Sequence, residues 1–306
     1  MPALPPITRD LPTLPVRAAT AHKGQVGRIA IMAGSTGMSG AAVLAGLGAL
    51  RGGAGLVRVL CPESVQPIVA ASEPCLMTVP ITEDEAGLAG MNGKLAEQMY
   101  DWCSAAAIGP GLGRGALPRN NVREVLMHCT APLVVDADAL NILASSVDWA
   151  ASGPAAWREL REKGDRVITP HPGEMARLRS AAHMQELRGD DDQTRLRIAH
   201  EYACYSQCVV VLKGHRTVVC AQDCAFVNTT GNPGMATGGM GDVLSGLIAA
   251  LLGQGLGAFD AARLGVYVHG LAGDLCAEHI GAVGLLARDV AQAIPQALAQ
   301  MSSHSS

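Results

Sequence analysis

Short apolar, β-branched runs alternate along this chain with longer stretches in which apolar residues recur at helical spacing. The runs "GRIAIMAG", "GLVRVLCP", "AAAIGPG", "PLVVDAD", "RVITPHPGE" and "CVVVLKG" read as strands, and "GAAVLAGLGALRGG" between the first two reads as a helix. Near-continuous apolar strands separated by helices predict an α/β fold, a mostly parallel central sheet with helices on both faces. Ligands of such sheets bind beyond the carboxyl ends of the strands, so each strand end is a place to look for chemistry. "GSTGMSG" (34–40) follows the first strand, "GPGLG" (109–113) the third, and Asp136 and Asp138 the fourth; "PHPGE" (170–174) and "KGHRT" (213–217) follow the next two. Glycines, acids, one His and one Lys therefore collect along a single sheet edge.

The pattern changes at "GNPGMATGGMGDVLSGLIAALL" (231–252), which places five glycines in its first eleven residues, then Asp242, then an apolar run. Gly238, Gly239 and Gly241 predict a tight turn that lets backbone approach a ligand. From Val243 onward, Val243, Leu244, Leu247, Ile248, Leu251 and Leu252 predict a helix with one buried face. The free N–H groups and dipole at its start suit an anion such as phosphate. A carboxylate repels a phosphate, yet it assists an alcohol attacking a phosphorus centre by taking the alcohol's proton. Asp242 reads equally as a simple cap of that helix.

The totals narrow the field. A chain of 306 residues, 49% hydrophobic with 36 glycines and no low-complexity linker, fits one large domain. A net charge of -4 without a basic stripe, and an aromatic content of 3%, argue against nucleic acid as a partner. The N-terminus "MPALPPITRDLPTLP" has prolines where a signal peptide needs an apolar run, and no apolar stretch is long enough to span a membrane. The expectation is a cytoplasmic protein with a Pro-rich arm at 1–20, a single domain at 21–300 and a disordered tail at 301–306. The nine cysteines read as reduced thiols; Cys204, Cys208, Cys220 and Cys224 also have a spacing from which zinc could be held.

Individual residues carry two readings each. Gly34, Gly37 and Gly40, with Glu63 past the next strand, imitate a dinucleotide fingerprint at altered spacing; they read equally as a turn for close helix–strand packing. His171, between Pro170 and Pro172, belongs to a loop, as a ligand contact or as a hydrogen-bonded structural residue. Glu174 fits a first-turn helix acid or an outer-shell magnesium partner, and Asp136 and Asp138 divide between helix capping and metal contact. Lys213, at the end of a buried strand, is placed to reach a phosphate or to be a solvated turn lysine.

Taken in order, "AGSTGMSGAA", "LRGGAGLVRV", "IGPGLG", "VVDADALN", "TPHPGEMARL", "VVLKGHRTVV" and "NTTGNPGMATGGMGDVLSGLIAALLGQG" resemble the ribokinase-like superfamily, and within it the ADP- or ATP-dependent NAD(P)H-hydrate dehydratases. The resemblance spans about four fifths of the chain and implies a ribokinase-like fold. It implies repair of NADH or NADPH hydrated at C6, coupled to hydrolysis of ADP, or of ATP, with Mg2+ as cofactor. It assigns Asp242 as the base and Gly239, Met240 and Gly241 as an anion hole. Ala41, Gly111, His171 and Asp242 would contact the hydrated cofactor, and Lys213, Gly214, His215, Arg216, Thr217 and Gly241 the nucleotide. Glu174 and Asp136 would sit in the outer shell of magnesium, with His171-Pro172-Gly173-Glu174 in place of the superfamily's N-x-x-E motif. It further implies a homotetramer, and no epimerase activity, since only the Pro-rich arm precedes the kinase-like part. Two other functions share these features: a small-alcohol kinase resembling hydroxyethylthiazole kinase, and a non-catalytic nucleotide-binding protein.

Overall fold

The computed structural model describes residues 4–91 and 93–303. Its strands are β1 (Ile7–Thr8), β2 (Arg28–Met32), β3 (Leu56–Pro62), β4 (Met77–Ile81), β5 (Ala105–Ile108), β6 (Leu133–Val135), β7 (Arg166–Ile168), β8 (Val209–Leu212), β9 (Val218–Cys220) and β10 (Ala225–Val227). Its helices are α1 (Ser39–Arg51), α2 (Gln66–Ser72), α3 (Gly93–Trp102), α4 (Ala116–His128), α5 (Ala137–Ser145), α6 (Val147–Lys163), α7 (Pro172–Ala181), α8 (Asp192–Ser206), α9 (Met240–Gly253), α10 (Ala258–Ile280) and α11 (Ala287–Ser303). The strands form one sheet in the order β1-β10-β9-β8-β7-β6-β5-β2-β3-β4. From β4 to β8 every pairing is parallel; β9 runs antiparallel to both β8 and β10, and β1 lies parallel to β10.

Side chains alternate across this sheet, as the pleat requires. Ile29, Ile31, Val57, Val59, Ala105, Ala107, Val134 and Val167 face one core with α1, α9, α10 and α11. Ala30, Met32, Leu60, Ile108, Leu133, Val135 and Ile168 face a second core with residues of α4, α5, α7 and α8. The expected mostly parallel sheet with helices on both faces is what the chain forms. α1 and α9 approach through glycine: a Cβ at Gly48 would lie 2.1 Å from the Val243 carbonyl oxygen, and one at Gly246 would lie 1.9 Å from that of Ala45. That contact fixes where the first turn of α9 sits above the sheet edge.

Three expectations change. Residues 4–20 are more than an arm, because β1 pairs with β10 and adds an edge strand to the sheet. At the other end α11 continues to Ser303, into the stretch expected as a disordered tail, while 304–306 lie outside the described residues. The helix expected from Val243 begins at Met240. Met240 and Gly241 are therefore its first helical residues, and Asp242 stands within its first turn.

Candidate active site

The N-cap position of α9 is Gly239, whose φ of 91° favours a residue without Cβ and which brings no capping side chain. The amides of the first turn are consequently free for a ligand. Among the described residues no hydrogen bond runs from these amides to Asp242, whose place in the first turn still suits the helix dipole. Its carboxyl is half-buried and its pKa is pushed up to about 7, first by burial, then by the nearby charge of Asp136, with Lys213 opposing. A carboxyl in that range exchanges protons near neutrality.

Lys213 reaches the same point from the end of β8. Its Nζ donates to Asp136 Oδ1 at 2.7 Å, and a Cβ placed on Gly241 would lie 3.2 Å from that nitrogen. Burial works against its charge, but Asp136, Glu174 and Asp242 outweigh burial and the ammonium pKa is raised. Asp136 is 1% exposed, and its Oδ2 accepts from Ser245 Oγ of α9 at 2.6 Å. Asp136 occupies the N-cap position of α5 without capping it, and the next residue, Ala137, is held at a φ of 49°. Gly109 permits this approach, since a Cβ there would lie 1.8 Å from the Asp136 carbonyl oxygen. Asp138 does something else: Oδ2 accepts from Gly113 N at 3.0 Å and Oδ1 from Arg114 Nε at 2.9 Å, which anchors the "GPGLG" loop.

His171 is the N-cap of α7. Its Nδ1 accepts from the amides of Gly173 (3.0 Å) and Glu174 (3.3 Å), while Glu174 Oε2 accepts from the His171 amide at 2.8 Å. This is a capping box with imidazole in place of a hydroxyl. An accepting Nδ1 puts the ring proton on Nε2, which lies 3.3 Å from Glu174 Oε1. Burial, then Lys213 and Arg177, lowers the His171 pKa, so the ring is neutral at pH 7. Burial raises that of Glu174.

A cavity of about 630 Å³ opens beside these groups, and Lys213, Gly214, His215, Arg216, Thr217 and Gly241 all line it. The residues expected to hold a nucleotide thus share one concavity. His171 and Met240 line it too, which sets His171 on the nucleotide side as well. Ala41 and Gly111 lie elsewhere, against each other where β2 and β5 diverge; a Cβ on Gly111 would be 2.8 Å from that of Ala41. Ser35 Oγ donates to Gly111 O at 2.8 Å and Gly34 N to Pro110 O at 2.9 Å, so the "GSTGMSG" and "GPGLG" loops are bonded together. The start of α9 lies between cavity and α1: Gly241 lines the cavity, and Gly239 packs on Leu44 of α1.

The sequence reading missed part of the cavity wall. Asn228 donates from Nδ2 to the carbonyls of Thr230 (3.1 Å) and Val266 (3.2 Å), and Asp274 accepts from Gly231 N (2.8 Å) and Asn232 Nδ2 (2.9 Å). These bonds lash the loop after β10 to α10. His269 of α10 also lines the cavity, and burial followed by Lys213 pushes its pKa down to about 4. The Asn-rich "NTTGN" offered a signal of loop hydrogen bonding; His269, inside an apolar helix, offered none. Among the described residues no three His, Cys, Asp or Glu side chains are arranged to hold a metal ion, the four spaced cysteines included. No helix among them is long and apolar enough to cross a membrane.

Known proteins share this architecture. The family model for NAD(P)H-hydrate dehydratase matches residues 29–296. The chain is 43% identical over 93% of its length to the bifunctional NAD(P)H-hydrate repair enzyme Nnr of Moorella thermoacetica, covering 52% of that protein. It is 41% identical over 90% of its length to the Escherichia coli protein of the same name, covering 48%. The chain thus spans about half the length of the curated relatives it matches. Among solved structures, the ADP/ATP-dependent NAD(P)H-hydrate dehydratase of Bacillus subtilis, co-crystallised with ATP and Mg2+, superimposes with a TM-score of 0.75 at 31% identity over 94% of both chains. A match that runs from β2 into α11, over the whole sheet edge where these side chains meet, shows that the chain belongs to the NAD(P)H-hydrate dehydratase family, with a ribokinase-like fold.

Proposed function

We propose that this protein dehydrates NADH or NADPH carrying a hydroxyl at C6 of the nicotinamide ring, with hydrolysis of ADP, or of ATP, as the driving reaction. The observation that carries the reading is Asp242: a carboxyl in the first turn of α9, uncapped, with a pKa of about 7, beside a lysine and a nucleotide-sized cavity. Hydroxide is a poor leaving group, and phosphorylation converts it into a good one. Asp242 takes the proton of the C6 hydroxyl as its oxygen attacks the terminal phosphorus. The new O–P bond forms as the bridging P–O bond breaks and AMP leaves, or ADP when ATP is the donor. The amides of Gly239, Met240 and Gly241, with the α9 dipole and the Lys213 ammonium, stabilise the charge on the phosphoryl oxygens. The C6–O bond then breaks, phosphate departs, and loss of a proton from the neighbouring ring carbon restores the double bond.

The nucleotide fits the side lined by Lys213 to Thr217. The hydrated ring approaches Asp242 from the side of Ala41 and Gly111, with His171 at the boundary. Magnesium would arrive on the nucleotide's phosphates, with waters completing its shell. Glu174 would hold those waters, and the ion would neutralise phosphate charge during transfer; Asp136, whose two oxygens are taken by Lys213 and Ser245, would not. The chain works as a cytoplasmic homotetramer; a single sedimentation or light-scattering run tests the assembly.

The decisive experiment incubates the protein with hydrated NADH, ADP and Mg2+ and follows the dihydronicotinamide absorbance together with AMP and phosphate. Return of that absorbance with stoichiometric AMP is the expected result. A phosphorylated alcohol accumulating without elimination would establish the small-alcohol kinase, and nucleotide binding without turnover the non-catalytic protein.

A further inference from the structure

Lys213 stands among three carboxylates, Asp136, Glu174 and Asp242, and in the resting structure it is bonded to one of them. Its Nζ lies 2.7 Å from Asp136 Oδ1, and the second oxygen of Asp136 is taken by Ser245 Oγ at 2.6 Å. Ser245 is fully buried, and its Oγ lies 3.0 Å from the Gly241 carbonyl one turn earlier in α9. A hydroxyl has one proton, and the shorter contact to a charged acceptor takes it. The chain Ser245–Asp136–Lys213 thus joins α9 to the ends of β6 and β8. These residues are 109 and 77 positions apart and meet only through the fold.

We propose that Asp136 and Ser245 are positioning residues that hold the Lys213 ammonium toward the transferred phosphoryl group and away from Asp242, leaving the base free to take its proton. An ammonium with a free choice pairs with an uncompensated carboxylate, and Asp242 is the uncompensated one. Asp136 is buried, fully bonded and locked by Ser245, so it wins the cation while the site waits for substrate. When the nucleotide arrives, the remaining two ammonium protons are available to its phosphoryl oxygens. Without Asp136 the lysine swings to Asp242, and the carboxylate is masked by a salt bridge. The inference rests on the dehydratase reading for its assay and goes beyond it in giving Asp136 work that runs through Lys213 and not through magnesium.

A double-mutant cycle tests it, using Asp136→Asn, Lys213→Met and the pair, with turnover of hydrated NADH and nucleotide affinity measured for each. Asp136→Asn should lower kcat about 10- to 10²-fold, less than the roughly 10²- to 10⁴-fold lost when a general base is removed outright. Its nucleotide affinity should fall as well, since the ammonium has turned from the phosphates to Asp242. In the Lys213→Met background the same substitution should have no further effect on kcat, because its intermediary is absent. Additive losses would overturn the proposal, as would a shifted Mg2+ requirement in Asp136→Asn. Ser245→Ala keeps the Lys213–Asp136 pair while removing one bond of the lock, and serves if Lys213→Met does not fold. Its kcat should fall severalfold with unchanged nucleotide affinity; wild-type kcat in a folded Ser245→Ala overturns the lock. Absence of turnover in the wild type would instead refute the dehydratase reading.

Discussion

Replacing Asp242 by Asn separates chemistry from stability more cleanly than any other change at this site. Asn keeps the size of the side chain and serves at a helix N-terminus as well as Asp does, so a capping role predicts little change in either property. The structure predicts change in both, in opposite directions. Burial and Asp136 lift the carboxyl from its ordinary 3.8 to about 7. At about 1.4 kcal/mol per pH unit, the ionised form costs the folded protein about 4 kcal/mol at full burial. Asp242 is half-buried, and solvent screening leaves roughly 2 kcal/mol as the working figure. The folded protein retains this proton between about pH 4 and 7 while the unfolded chain has lost it. The contribution to stability is therefore fully present below about pH 4 and lost as pH rises through about 7. Asn does not titrate, so at pH 8 Asp242→Asn should be about 2 kcal/mol more stable than wild type, and at pH 4 the gain should vanish. Turnover should fall roughly 10²- to 10⁴-fold, with nucleotide affinity unchanged or improved. Chemical denaturation at the two pH values and steady-state kinetics on the one variant supply every quantity. Wild-type-like turnover, or a variant less stable than wild type at pH 8, would refute the assignment.

As the proposed base, Asp242 must be ionised to act, so activity in the wild type should rise with pH through a midpoint near 7, read from kcat/KM over about 1.5 pH units to either side; a flat profile would count against it. His171→Ala removes both bonds to the α7 amides and should cost about 1 kcal/mol in denaturant unfolding while raising KM, whereas His171→Asn should recover most of the stability. An unchanged unfolding curve for His171→Ala would show that the capping box carries no weight. Gly109→Ala drives a methyl into the Asp136 carbonyl from a backbone φ of 126°, so it should lower the melting temperature and activity together, by more than the few tenths of a kcal/mol typical of surface changes. A melting temperature equal to wild type would mean that the Gly109–Asp136 approach is not needed.

What the sequence revealed and what it hid follow from how far apart the cooperating residues lie. Central parallel strands are buried on both faces, so β2, β3, β5, β6, β7 and β8 announce themselves as apolar runs. β1, β4 and β10 do not. β1 is two residues long in a proline-rich segment, β4 carries Pro80, which only an edge strand tolerates, and β10 is a short return strand whose partners are β9 and β1. The glycine-rich turn before α9 was legible because glycine and a lone acid at a helix start are local signals. The Ser245–Asp136–Lys213 chain beside that acid was not legible, since no window of sequence contains all four. His171 was hidden differently: imidazole is an uncommon cap, and only the acceptor geometry of Nδ1 reveals that it caps and faces the cavity at once. The same separation explains why Asp242 escapes a structural reading. Local propensity welcomes an acid in a first helical turn, as it does at Glu174, which is paid back by a backbone amide. Asp242 receives no such bond from Gly239 or the turn above it, and it sits instead where burial, then the charge of Asp136, raises its proton affinity against the pull of Lys213. An acid left unsatisfied in that setting is unfavourable for folding and useful for taking a proton. On the proposed function, the position answers to the reaction more than to the helix.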